Sequence, residues 1–211
     1  MAKNKRQYDN DYPSVTGVLE VLRKIGLEMW FKYNTPEFIK EESEKGKTIG
    51  TQIHEVIHAY IQGETASTIT DYPDEVHNAL KSFMQFREEN PLTKLTNSEI
   101  AMTSETYKLN GTLDCIGEDN GLIILDWKTG KCKDEEKPKI YEEYLYQVSA
   151  YVKIYNEVFN SDVKQALILS LAKDKVAFNT YRMGHEEIDE HFKNAFLPAL
   201  KIWNHQHRGK K

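Results

Sequence analysis

The stretch from Leu109 to Lys131 constrains the fold of this chain more than any other. It contains two apolar runs separated by the polar turn Glu118–Gly121. The Asp-Asn-Gly sequence in that turn is typical of a tight connection between antiparallel strands. The continuous apolar run Leu122–Leu125 is typical of a strand that is buried on both faces. The sequence therefore predicts a β-hairpin whose second strand lies in the core.

Three charged residues stand inside this hairpin. Asp114 lies in the first strand, and Asp126 and Lys128 end the second. Strand residues two positions apart share a face, so Asp126 and Lys128 should lie together. A buried carboxylate is unfavourable unless it is paired or binds a metal. Two interpretations remain open at this point: a salt bridge between Asp114 and Lys128, or carboxylates that bind a hard divalent cation beside an ammonium that orients water next to a phosphate.

The hairpin and two helices resemble a known family. The sequences Gly111–Asp114 and Asp126–Gly130 resemble the G-x-x-D and D-x-K-T-G segments of the RecB-type exonuclease branch of the PD-(D/E)XK nuclease superfamily. The segment Gly50–His54 resembles its G-x-x-x-H helix, and Gln147–Tyr151 resembles its Q-x-x-x-Y helix. The opening Tyr12–Thr16 is similar to the start of single-strand exonucleases of the mitochondrial genome-maintenance type.

The resemblance implies an α/β fold with a restriction-endonuclease-like core, in which the order α-β-β-β-α-β forms a mixed sheet flanked by helices. The patterning of this chain agrees and adds helices at the N-terminus. We expect a single nuclease domain over residues 1–211, with a loose tail at 1–12 and a basic tail at 208–211. Helical spacing and capping signals predict five helices: Ser14 to Gly26, Pro36 to Gln62, Pro73 to Asn90, Tyr141 to Phe159, and His185 to Gln206 with a kink at Pro198.

The family resemblance also implies a metal site. Asp114 and Asp126 would bind Mg²⁺ or Mn²⁺, with His54 as a further ligand or its neighbour. The backbone carbonyl of Trp127 would be another ligand. Glu99, in the strand before the hairpin, is the acid we assign to a second metal. Some relatives carry a four-cysteine iron–sulfur cluster, but this chain has two cysteines, so we expect no such cluster.

The remaining candidate residues concern the substrate. Lys128 would position the attacking water, and Gln147 and Tyr151, one helical turn apart, would hold the substrate backbone. Lys131, at the start of a charged connector, is a candidate for phosphate contact. Together these residues predict a metal-dependent exonuclease that hydrolyses DNA phosphodiester bonds at ends, with a single-strand preference. The setting would be DNA repair, recombination or replication, with a helicase or recombinase as a partner.

Composition neither supports nor opposes this hypothesis. The net charge is −5 and the predicted pI about 5.8, which is unlike an avid non-specific nucleic-acid binder but compatible with a locally basic channel. No apolar run approaches the roughly 20 residues that span a bilayer. No apolar signal segment follows the basic N-terminus. We therefore expect a cytoplasmic protein.

Two alternatives come from other classes of protein. His54-Glu55-Val56-Ile57-His58 matches the H-E-x-x-H helix of zinc metalloproteases. The extended zinc pattern would need glycine and histidine where the chain has Ile61 and Glu64, and this interpretation leaves the hairpin charges unexplained. The second alternative is a nuclease fold that binds DNA or a partner without catalysis.

Two further features lack an assigned role. Gly46, Gly50 and His54 recur every fourth residue and share one helix face. Glycine inside a helix costs about 1 kcal/mol relative to alanine, so we expect another backbone to approach there. The aromatic segment Leu27–Tyr33 is expected to pack in the core or cover a cleft, with stacking on unpaired bases as its functional alternative.

Overall fold

The fold is a five-stranded mixed sheet with helices on both faces. The computed structural model describes residues 8, 10–64, 72–91, 94–132 and 136–208. Within these residues the sheet order is β1-β2-β3-β4-β5. Strands β3 and β4 are parallel, and the other neighbours are antiparallel. The strands are β1 (Lys94–Ser104), β2 (Leu109–Glu118), β3 (Leu122–Gly130), β4 (Gln165–Ala172) and β5 (Phe178–Met183).

The helices fall in the predicted order. The parallel pair β3 and β4 is joined across one face by α5, as a parallel connection requires. The helices are α1 (Val15–Leu19), α2 (Ile25–Tyr33), α3 (Pro36–Ile61), α4 (Asp74–Glu89), α5 (Glu142–Val158), α6 (His185–His191) and α7 (Leu197–Gln206), with a π-helical turn at Phe192–Phe196 between the last two. Three strands, a crossover helix and a strand pair confirm the predicted α/β class and its N-terminal helical additions.

The sheet separates two apolar cores. Residues of α1, α5 and the C-terminal helices form the core on one face with Ile124 and Ile168. Residues of α3 and α4 form the core on the other face with Trp127 and Leu169. The alternation along β3 and β4 explains why their sequences are apolar throughout, because both faces of each strand are covered.

The predicted first helix is interrupted. Ser14 is its N-cap as predicted, since its Oγ accepts the Gly17 amide at 2.9 Å. Helix α1 ends at Leu19, however, and α2 begins only at Ile25. Four large apolar side chains of α2 are exposed, namely Leu27, Met29, Phe31 and Tyr33, and Trp30 is half-buried. The expectation that this segment packs in the core is therefore wrong.

The predicted C-terminal helix contains a π-helical turn. The Leu197 amide bonds to the Phe192 carbonyl, five residues earlier. Pro198 follows directly and has no amide to donate, so it removes a bond from the regular helical ladder. The irregularity expected near Pro198 is present, one turn before the proline itself.

The described part of the N-terminal tail is attached to β2. The Tyr8 hydroxyl lies 2.8 Å from Thr112 Oγ1, and the Asn110 side chain donates to Asn10 Oδ1 at 2.8 Å. The Asn110 amide donates to the Pro13 carbonyl at 2.9 Å. The polar composition did not predict this attachment. Residues 1–7 and 9, and residues 209–211 of the basic tail, lie outside the described residues.

None of the described helices combines the length with the apolar composition that a bilayer crossing requires.

The glycines of α3 do not have the close neighbour that we expected. A Cβ atom added at Gly46 would meet no described atom within 4 Å, and one at Gly50 would have Thr129 Oγ1 as its nearest neighbour at 3.8 Å. Gly117 in β2 differs, because a Cβ atom there would lie 2.5 Å from the Lys94 carbonyl oxygen. Close packing therefore explains the glycine in the sheet but not those in the helix.

This contrast predicts stability changes of opposite sign. Gly46→Ala should raise the free energy of unfolding by about 1 kcal/mol, because alanine favours the helix and meets no described neighbour. Gly117→Ala should lower it by about 1–3 kcal/mol, because the new methyl group clashes with backbone. Urea denaturation followed by circular dichroism measures both. A loss of stability in Gly46→Ala would show that the helix glycine has a packing partner after all.

Candidate active site

The site lies where β2 and β3 separate. The two strands pair only from Cys115 and Leu125 to Glu118 and Leu122. The next residues in that register would be Asp114 and Asp126, and there the pairing stops. Strand β2 continues beside β1, and β3 continues beside β4. The two carboxylates thus stand at the fork between the strands.

Asp114 contacts both sides of this fork. Its Oδ2 accepts a hydrogen bond from the Trp127 backbone amide at 2.8 Å. The β2 backbone no longer pairs with β3 at this point, so the carboxylate is the acceptor for that amide. Its Oδ1 lies 3.3 Å from His54 Nδ1 on α3. Burial acts to raise the pKa of Asp114, but the charges of His54 and Lys128 and the Trp127 amide together lower it. The carboxylate therefore stays ionised in the interior.

Glu99 reaches the same place through an irregular backbone. It has φ of 56° in the middle of β1, a left-handed conformation that disfavours residues with a Cβ atom. The neighbouring pairs Ser98–Cys115 and Ile100–Leu113 are kept, yet Leu113 packs in the α5 core and Cys115 in the α3–α4 core. The side-chain alternation therefore changes at Glu99 and Asp114 without a change of register.

His54, Glu99 and Asp114 form a group of three possible metal donors. One nitrogen or oxygen from each lies within 4.8 Å of the others, and His54 Nδ1 is 3.5 Å from Glu99 Oε1. Burial disfavours a charged imidazole, but Asp114 and then Glu99 outweigh it and raise the pKa of His54 to about 10. The two carboxylates thus create a position where positive charge is strongly favoured.

Asp126 and Lys128 form a pair beside this group. Lys128 Nζ lies 2.6 Å from Asp126 Oδ2, which places the two side chains together as their spacing predicts. Burial, with the charge of Asp114, raises the pKa of Asp126 to about 6 against the opposing effect of Lys128. Lys128 Nζ also lies 5.4 Å from the centre of the Tyr144 ring. The alternative of an Asp114–Lys128 salt bridge is not what the structure shows, because Lys128 pairs with Asp126.

Helix α5 supports this pair from the sheet face opposite to α3. The Gln147 side-chain amide donates to the Tyr151 hydroxyl at 3.0 Å and to Asp126 Oδ1 at 3.4 Å. A Cβ atom at Gly111 would lie 2.9 Å from Tyr151 Cε1. The glycine of the G-x-x-D segment therefore leaves room for Tyr151. Both Gln147 and Tyr151 are buried. Gln147 contacts Asp126 of β3, and Tyr151 packs against Gly111 of β2.

The structure brings most predicted site residues together and places Lys131 apart from them. Lys131 Nζ lies 3.5 Å from Glu42 Oε2 on α3, with about half of its side chain exposed. Trp127 supplies its amide to Asp114 while its side chain packs in the core. The contacts above join seven of the predicted residues in two neighbouring groups. One contains His54, Glu99 and Asp114, and the other contains Asp126, Lys128, Gln147 and Tyr151.

Tyr144 was not predicted as a site residue. It lies one turn before Gln147 on α5, a spacing that places both on one helix face. That spacing from Gln147 is the sequence signal that could have identified Tyr144.

The second histidine of H-E-x-x-H does not join the donor group. His58 Nδ1 lies 2.7 Å from Ser98 Oγ, and Glu55 is exposed. Among the described residues, the possible metal-binding group contains His54 with two acids and excludes His58. The zinc-protease alternative therefore lacks its geometry.

Comparison with known proteins agrees with the fold. The model of the PD-(D/E)XK nuclease superfamily matches residues 29–203, and this chain belongs to that superfamily. It is 26% identical over 115 residues to an ATP-dependent helicase/nuclease subunit from one Clostridium perfringens strain, covering 50% of this chain and 9% of that protein. For the same protein of a second strain the identity is 29% over 72 residues, covering 34% and 6%. The chain thus spans less than a tenth of these relatives.

A solved structure has a similar fold. The protein comes from Eubacterium rectale and carries a provisional description as an exonuclease. The TM-score is 0.57 with 14% identity, and the match covers 97% of this chain and 86% of that one. At this identity the similarity concerns the fold alone.

The backbone at Glu99 yields a stability prediction. Glu99→Gly should raise the free energy of unfolding by about 1 kcal/mol more than Glu99→Gln, because only glycine relieves the left-handed conformation. Both variants remove the carboxylate charge, so the difference isolates the backbone contribution. Urea denaturation with a chelator present gives the values. Equal stabilities for the two variants would contradict the strain.

Proposed function

We propose that this chain is a divalent-metal-dependent deoxyribonuclease that hydrolyses phosphodiester bonds. The observation that carries the proposal is the fork between β2 and β3, which gathers a carboxylate–imidazole group and an aspartate–lysine pair at one place. Neither a packed core nor a surface ion pair needs this combination. Family membership and the order of the four sequence segments support the same conclusion.

The residues present fit a hard divalent cation. Carboxylate oxygens suit Mg²⁺ or Mn²⁺, and the donor atoms of His54, Glu99 and Asp114 already converge. His54 would lose its proton on binding the cation, because only a neutral imidazole is a ligand. Asp126 and the Trp127 carbonyl are the further ligands that the family resemblance implies. When bound, such a cation would polarise the phosphate and increase the acidity of a bound water.

The side chains around the metal donors have separate tasks in this proposal. Lys128, held by Asp126 and next to the Tyr144 ring, would orient the attacking water and offset negative charge that develops on the phosphate. Gln147 would fix the Asp126 carboxylate, and Tyr151 would fix Gln147. Lys131, just after the end of β3, would meet a neighbouring phosphate after leaving Glu42.

We further propose an exonuclease that acts on DNA ends and prefers single strands. The names of the helicase/nuclease relatives and the exonuclease description of the Eubacterium rectale protein support action at ends. We also propose a role in DNA repair, recombination or replication in the cytoplasm, beside a helicase or recombinase. The names of the helicase/nuclease relatives support the helicase as a partner.

Hydrolysis should depend on Lys128 and not on Glu55. Lys128→Ala should lower the cleavage rate about 10³-fold, because it removes charge stabilisation from the transition state. Glu55→Gln should cleave like wild type, because Glu55 is exposed and outside the site. The assay is digestion of end-labelled single- and double-stranded DNA with Mg²⁺ or Mn²⁺. Absence of cleavage by wild type with both metals and both substrates would refute the proposal, as would an equal loss in Glu55→Gln.

Metal binding should depend on Asp114 and not on the second histidine. Asp114→Asn should weaken Mn²⁺ binding at least about tenfold, since a charged ligand is lost. His58→Ala should bind Mn²⁺ as wild type does, because His58 faces Ser98. Isothermal titration calorimetry gives both affinities. A larger loss in His58→Ala would instead favour the zinc-protease arrangement.

A further inference from the structure

The segment from residue 20 to residue 48 has a surface that folding alone does not explain. No described side chain in this segment is buried, although it contains all of α2 and the first half of α3. An exposed apolar surface of this kind usually marks a binding site. The exposed or half-buried large apolar residues, called here the α2–α3 aromatic surface, are Leu27, Met29, Trp30, Phe31, Tyr33 and Phe38.

The aromatic rings of this surface are contiguous. The Trp30 ring centre lies 5.5 Å from that of Phe31 and 6.5 Å from that of Phe38. Lys32 Nζ lies 5.7 Å from the centre of the Tyr33 ring. Adjacent rings with a lysine among them are the composition of a platform for unpaired bases, since bases stack on the rings and the ammonium meets the backbone.

Both ends of the segment are attached beside the candidate active site. Before α2, Lys24 Nζ lies 4.0 Å from Glu143 Oε1 on α5, the residue next to Tyr144. In α3, Glu42 pairs with Lys131, three residues after Lys128. Along the chain, the aromatic surface therefore lies between one ion pair with α5, which carries Tyr144, and another with Lys131, which follows the strand that carries Lys128.

The local charge is more favourable to a nucleic acid than that of the chain as a whole. Residues 20–48 contain six basic and six acidic side chains, so the segment is neutral within a chain of net charge −5. Around α2, at residues 23–35, three side chains are basic and one is acidic, and that acid, Glu28, is paired with Arg23 at 2.9 Å. The segment therefore repels a phosphate backbone less than the rest of this acidic protein does.

We infer that the α2–α3 aromatic surface binds the bases of an unpaired DNA strand whose phosphate backbone leads to Lys128. This inference rests on the proposed function and adds to it the residues that recognise a single strand. Because the rings contact base faces and not specific edges, binding is independent of sequence. Phe31 and Phe38 carry the stacking on α2 and α3 respectively.

The test compares binding to strands with and without bases. Fluorescence anisotropy with a labelled oligothymidylate, in EDTA and at low salt, measures affinity without hydrolysis. The double variant Phe31→Ala/Phe38→Ala should bind at least about tenfold more weakly, as expected for the loss of ring–base stacking. An abasic strand of the same length should bind the double variant and wild type equally. Phe159→Ala is the matched control, because Phe159 is as exposed as Phe31, at 47% each, but lies at the end of α5.

The outcomes separate this inference from the nuclease proposal. If the double variant binds oligothymidylate more weakly than wild type and the Phe159→Ala control does not, base binding by the aromatic surface is supported even if wild type cleaves nothing. Equal affinity of the double variant and wild type, or no binding by wild type, overturns the inference even if wild type cleaves DNA. Sedimentation velocity tests whether a second copy of the chain occupies the surface instead. If wild type is an oligomer, the double variant is a monomer and both bind DNA equally, the surface is an interface between copies of the chain and the inference is wrong.

Discussion

The hydrogen bond from the Trp127 amide to the Asp114 carboxylate joins two strands that no longer pair with each other. Strands β2 and β3 would otherwise leave that buried amide without a partner, which is unfavourable in a core. The carboxylate replaces the missing strand and directs its second oxygen towards His54. The same side chain therefore closes the fork structurally and begins the cluster of charged groups. The positions of Glu99, Asp126 and Lys128 follow from where this fork opens.

Periodicity and spacing predicted the features that depend on neighbouring residues. The hairpin turn, the shared face of Asp126 and Lys128, and the Gln147–Tyr151 contact all follow from the geometry of one strand pair or one helix. The order of the elements and the α/β class followed from the same patterns. The roles assigned to these residues stay predictions, because contacts place side chains without showing turnover.

Features that depend on distant parts of the chain were not predictable in the same way. The left-handed backbone at Glu99 is a response to the fork, and nothing in the residues around it signals a change of face. The break between α1 and α2 was hidden because Leu22 continues the helical spacing of Val18 and Leu19. The open surface at Gly46 was misread because helix glycines usually have a close neighbour, and only the packed structure shows that none of the described atoms is near.

Gly46 and Glu99 share a property that matters for anyone who redesigns this protein. At each position the structure would accept a residue that suits its backbone better, alanine in the helix and glycine in the strand. A sequence optimised for folding alone would replace both, and it would also exchange the exposed rings of α2 for polar residues. Design against this backbone would thus remove the features that set the chain apart from an inert scaffold. Disagreement between the residue present and the residue that the backbone prefers is therefore a practical guide to the functional surface.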